Sequence, residues 1–110
     1  MIPIRTLLAA ATLVTTGGVA ARQAERTGAA SNGKRLFHQC SGCHSVDTSE
    51  KRVGPSLKSL FHKHELANGS PANERTIRRK IRYGGDGMPA YEGVFSAKEL
   101  DDLIAYLKSR

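Results

Sequence analysis

From position 96 to the end of the chain, Leu100, Leu103, Ile104 and Leu107 fall at the i, i+3, i+4, i+7 spacing of one helix face. Ser96 and Glu99 stand in the register of a capping box ahead of them, and Phe95 and Leu100 stand at the positions of a hydrophobic staple. A second stripe is narrower. Ile77 and Ile81 lie four apart within a run of cations (Arg75, Arg78, Arg79, Lys80, Arg82), with Asn73 as the cap and Gly84-Gly85 as the stop. A third helix is expected to start at Ser31 or Asn32, either of which can cap it, and to put Leu36, Phe37 and Cys40 on one face. Between these elements Val53-Gly54-Pro55 reads as a turn, and Leu57, Leu60 and Phe61 predict one or two helical turns. The run Ala-Asn-Gly-Ser-Pro-Ala before Asn73 reads as a loop. Few segments read as strands, so the pattern predicts one small all-α domain over 31–110.

The first 21 residues carry a different pattern. Arg5 precedes an apolar run from Leu7 to Val14, and small residues Val19-Ala20-Ala21 precede Arg22, the layout of an export signal. Thr12, Thr15, Thr16, Gly17 and Gly18 interrupt the run before it reaches the roughly 20 residues that span a bilayer, so cleavage is expected and no stable membrane span in the mature chain. Positions 22–30 are small and polar and read as a flexible leader.

Composition then narrows the partners. Seventeen Lys and Arg against ten Asp and Glu give a net charge of +7, of which the signal removes only Arg5. A basic balance suits acidic proteins, anionic membranes or nucleic acid, and no nucleic-acid-binding motif is present. A chain of 110 residues that loses its signal has a thin hydrophobic core, one that a large apolar prosthetic group would fill.

Cys40-Ser41-Gly42-Cys43-His44 supplies the chemistry. Two thiols three positions apart followed at once by an imidazole is the spacing that attaches haem through its vinyl groups and offers the histidine to the iron. Three other uses of close cysteines compete. A structural zinc site needs further Cys or His ligands, and there is no third cysteine. A redox dithiol belongs to a unit of strands and helices. A plain disulfide leaves His44 without a role.

One histidine leaves the iron's second face open. Met88, in Gly84-Gly85-Asp86-Gly87-Met88-Pro89, is the sole methionine beyond Met1 and lies outside any amphipathic stripe. A thioether is soft and neutral, favours ferrous iron and raises the potential relative to a second imidazole. The bland alternative is a methionine that packs its loop. His38, His62 and His64 are also potential ligands, but no partner spacing supports them, and they are expected on the surface. The cations from Arg78 to Arg82 read equally as a solvated helix face or as a docking patch.

With these features in order along 31–110, the chain resembles the class I c-type cytochromes, particularly the small bacterial monohaem proteins. The resemblance rests on Gly33 and Phe37, on Cys40 to His44, on Gly54-Pro55 with Leu57, and on Met88-Pro89 ahead of a helix with Leu103 and Tyr106. It implies three to four helices around one haem c, attached through Cys40 and Cys43, with His44 and Met88 as axial ligands. It implies that Gly33 and Phe37 cross Leu103 and Tyr106, glycine letting the backbones approach. It also implies that the Pro55 carbonyl accepts a hydrogen bond from His44, although Pro55 also reads simply as part of a turn. Attachment outside the bacterial cytoplasm follows by the same analogy, giving a periplasmic location.

The resulting expectation is a one-electron carrier, not an enzyme, that meets redox proteins through an acidic docking surface on their side. The alternative is the electron-accepting subunit of an exported dehydrogenase complex. A third class, in which an open sixth position binds a small ligand or peroxide, is disfavoured by Met88. The chain has no tryptophan and a short segment from Phe61 to Asn73, so the residues that hold the haem propionates do not carry over from better-known members.

Overall fold

The computed structural model describes residues 28–110. The expected signal and positions 22–27 of the leader lie outside them. Among the described residues three α-helices occur: α1 (Ala30–Leu36), α2 (Glu74–Tyr83) and α3 (Ala97–Lys108), with single 3-10 turns at Phe37–Gln39 and Leu60–His62. Extended pairing is limited among them to isolated bridges, so the domain is all-α.

The third helix begins as its sequence dictates. The Ser96 side chain accepts the Glu99 N–H at 3.1 Å, and Glu99 accepts the Ser96 N–H at 3.0 Å. Leu100, Leu103, Ile104 and Leu107 are all buried, Leu103 at 1 % exposure. Asn73 caps α2, but the box is closed by Thr76, which returns a hydroxyl to the Asn73 N–H where glutamate is usual. Gly84 ends α2 at a φ of 66°.

The first helix departs from expectation at its start. It begins at Ala30, and neither Ser31 nor Asn32 caps it; Ala29 occupies the cap position without a side-chain acceptor. Asp102 of α3 supplies one instead. Its carboxylate, 3 % exposed, accepts the Ala29 N–H at 2.7 Å and the Asn32 amide at 2.7 Å. A buried anion at the positive end of α1 satisfies one orphan backbone donor, the Ala29 N–H, and bonds the Asn32 side chain beside it. The last residues of the expected leader are therefore part of the domain. A Cβ on Gly28 would stand 2.3 Å from the Asp101 carbonyl oxygen, so the chain there lies directly on α3.

The α1–α3 crossing fixes the rest. A Cβ on Gly33 would stand 2.0 Å from the Asp102 carbonyl oxygen and 2.7 Å from Tyr106 Cβ, an approach only glycine permits. One turn on, Phe37 meets Tyr106 with ring centroids 5.6 Å apart and planes tilted by 55°. Phe37 then turns the chain toward Cys40, so the crossing sets where the cysteine segment emerges. After Leu57 the expected helical turns shrink to one 3-10 turn, because Ser59 takes a left-handed conformation (φ 56°) that no helix continues through.

Candidate functional site

Two stretches of chain hold His44 between them. The Gly54 N–H donates to the Cys43 carbonyl at 2.8 Å and the Leu57 N–H to the Ser45 carbonyl at 2.8 Å, so 43–45 and 54–57 are laced together. Ser45, itself buried, closes the intervening loop by donating its hydroxyl to the Thr48 and Glu50 carbonyls. Between the two backbone bonds, His44 Nδ1 lies 2.7 Å from the Pro55 carbonyl oxygen. A carbonyl only accepts, so Nδ1 carries a proton toward it, and the neutral imidazole of that tautomer has its lone pair on Nε2. Gly54 backs this ring, and any Cβ there would run into it.

Met88 is held by its turn. Met88 and Gly85 exchange both backbone hydrogen bonds, at 2.9 and 3.0 Å, across Asp86 (φ 55°) and Gly87 (φ 87°). Positive φ at both central residues defines a type I′ turn, for which Asp-Gly is a preferred pair. The far limb returns to α2, where the Tyr91 N–H bonds the Ile81 carbonyl and the Glu92 N–H bonds the Arg82 carbonyl.

These elements enclose a crevice. Its main cavity, about 410 Å³, is lined by Cys40, His44, Pro55 and Met88 against an apolar wall that includes Ile77 and Leu103. A second space of about 190 Å³ shares those four residues and adds Cys43. The size falls within the roughly 300–1,000 Å³ of cofactor pockets. The pentapeptide, the proline and the methionine thus meet around one apolar space. His38, His62 and His64 are exposed and line neither cavity.

The cysteines are both free, Cys40 half-buried and Cys43 exposed. Burial, followed by the neighbouring Cys43, pushes the Cys40 thiol up to about 11. At that value the Cys40 thiol stays protonated near neutral pH. It is an acceptable partner for an apolar group lying beside it. The residues therefore fit a flat apolar cofactor with an iron at its centre: two thiols at its edge, an oriented imidazole lone pair, and a thioether lining the same space.

The cation run on α2 is mostly neutralised within the domain. Arg78 pairs with Glu74 at 3.0 Å and Asp101 at 2.5 Å, Lys80 with Asp86 at 2.9 Å, and Arg82 with Glu92 at 2.7 Å. Arg79, and Arg75 one turn before it, make no ion pair among the described residues. Ser45, Asp102 and Lys80 are contributors to which the sequence pattern assigns no part in the site, while Gly54, named there as part of a turn, gains a role behind the His44 ring.

The crevice and the helix crossing define a protein of the cytochrome c type. The family model described as cytochrome c oxidase, cbb3-type, subunit III matches residues 28–107. Cytochrome c2 of Rhodoplanes tepidamans is 35% identical over 92 residues, covering 68% of this chain and 94% of that one. Cytochrome c2 of Blastochloris viridis is 31% identical over 96 residues, covering 72% and 76%. Among solved structures, cytochrome c6 from the diatom Phaeodactylum tricornutum superposes with a TM-score of 0.58 at 26% identity, covering 74% of this chain and 93% of that one. The chain belongs to the class I monohaem c-type cytochromes, small electron carriers rather than enzymes. Membership, with Cys40, Cys43 and His44 in place, implies covalently bound haem c and protein redox partners.

Proposed function

We propose that this cytochrome is an exported, periplasmic one-electron carrier with one haem joined to Cys40 and Cys43 and ligated by His44 and Met88. The observation that carries the reading is that these four residues line one apolar crevice and that His44 has its proton committed to Pro55. Haem held there supplies exchange of a single electron between ferric and ferrous iron. The chain's own part is to orient and to exclude. The Pro55 carbonyl holds the imidazole and strengthens its donation, while Ile77, Leu103 and Leu107 keep water from the crevice. A thioether on the other face favours the ferrous state.

An acidic surface on the partner suits the net charge of +7, and Arg75 and Arg79, which make no ion pair among the described residues, are the α2 cations available to meet it. A subunit role is the second reading, favoured by the family description, which names an oxidase subunit. A partner that copurifies in fixed ratio would favour it over a free carrier.

Acid–acetone extraction of purified protein tests the attachment. The pigment should stay on the polypeptide, whose mass should exceed that of the chain by one haem, with no free thiol. Colour that extracts completely would overturn the reading.

A further inference from the structure

The turn that carries Met88 is gripped from α2 by one side chain. Lys80 Nζ donates to the Gly85 carbonyl at 2.9 Å and to Asp86 Oδ2 at 2.9 Å. The Gly85 carbonyl is the same atom that accepts the Met88 N–H, at 3.0 Å. One oxygen therefore receives the lysine ammonium and the methionine backbone together, using both its lone pairs. Lys80 is also tied to the start of the loop through its own carbonyl, which accepts the Gly84 N–H at 2.8 Å. Ile81, the next residue, lines the main cavity. Helix α2 thus carries part of the crevice wall and the grip on the turn in adjacent residues.

The two contacts differ in weight. Lys80 is 25% exposed and Asp86 75%, so the ion pair is largely screened by water. The bond from the ammonium to the Gly85 carbonyl is charge-assisted and, unlike the ion pair, reaches the backbone oxygen that also accepts the Met88 N–H. The far limb has its own anchors, the Tyr91 and Glu92 backbone bonds and the Arg82–Glu92 pair. On the near limb the Gly84 N–H bond to the Lys80 carbonyl ties the chain to α2, and the lysine head group is the side chain that holds the Gly85 carbonyl.

We propose that Lys80 is a positioning residue for the methionine loop: by holding the Gly85 carbonyl it fixes Met88 in the crevice and sets how slowly Met88 leaves the iron. The proposal rests on the reading of Met88 as a ligand.

The test is ligand-exchange kinetics on the ferric holoprotein. Mixed with rising imidazole, the wild type should show a binding rate that reaches a plateau, the plateau being the rate at which Met88 lets go. Lys80→Met keeps the aliphatic stem and should raise that plateau about tenfold or more, the scale of a lost hydrogen bond from a charged donor. Lys80→Arg should return it toward the wild-type rate, and Asp86→Asn should raise it less than Lys80→Met does. A merely structural lysine would lower the unfolding temperature and leave the plateau where it was. An unchanged plateau in Lys80→Met, with the far-red band of methionine-ligated ferric haem intact, would overturn the proposal alone. If Lys80→Met yields no holoprotein, Lys80→Gln is read in the same way. A wild type with neither the band nor a plateau would overturn the ligand assignment, and the proposal with it.

Discussion

Gly54 lies flat against His44: a Cβ on Gly54 would stand 2.4 Å from the imidazole Cε1 and 2.8 Å from Nδ1. The ring is thus wedged between a bare backbone and the Pro55 carbonyl it bonds. The space for a methyl group at Gly54 is the space the imidazole occupies.

Gly54→Ala should therefore damage the site more than Pro55→Ala. Alanine at 55 keeps the carbonyl and loses only turn stiffness, whereas alanine at 54 must push the ring off its acceptor. Overpacking of this kind costs about 1–3 kcal/mol. Denaturant unfolding of the two holoproteins should show that loss for Gly54→Ala, together with a lower holoprotein yield. Equal stabilities would mean that the ring has room to move.

Asp102 should give the domain an acid-sensitive limb. The Ala29 N–H, then the Asn32 amide, hold its carboxyl below the ordinary 3.8, and Lys98 adds to the effect. Because the folded value is depressed, the stabilisation is complete above 3.8 and is lost as pH falls through the lower folded value. Asp102→Ala should cost about 1–3 kcal/mol near neutral pH by removing a charged acceptor from the Ala29 N–H and the Asn32 amide. The gap from wild type should narrow as unfolding is measured from pH 5 downward. Glu74 shifts the same way, through Lys108 first and then Arg78, but at 43% exposure its share is screened.

The helix signals that were legible in the chain are those written within one turn. Ser96 with Glu99, Asn73 ahead of Ile77, and Gly84 after Tyr83 each sit beside the donors or carbonyls they serve. The start of α1 was not legible, because its acceptor, Asp102, lies 73 positions away from Ala29. The 3-10 turn at Leu60 replaced a longer helix because of a left-handed Ser59, which no side-chain pattern announces. In the crevice, the cysteines, His44, Pro55 and Met88 could all be named from local motifs. The contact of Gly54 with the ring and the grip of Lys80 on the methionine turn emerge only once the chain is folded.

On the surface, the pairing pattern of α2 ranks its arginines. Neutralising Arg75 or Arg79 should slow association with an anionic redox partner several-fold at low salt and flatten the salt dependence. Arg82→Gln should act chiefly through loss of Glu92 and a looser methionine loop, with little change in the salt slope. Stopped-flow electron transfer at several ionic strengths separates the two outcomes. A steeper salt effect for Arg82 than for Arg79 would contradict the ranking.

Export makes its own prediction. N-terminal sequencing of the mature protein should begin at Ala21 or Arg22, whereas intact Met1 in a membrane fraction would mean a retained anchor.

The proposed ligation of the haem iron by Met88 opposite His44 is read from the far-red charge-transfer band of the ferric protein beside a potentiometric titration. Wild type should show the band. Met88→Ala should lose it, become partly high-spin and bind cyanide quickly, while Met88→His should stay low-spin at a lower potential. A wild type without the band, and a Met88→Ala variant with an unchanged potential, would mean that Met88 is not the ligand.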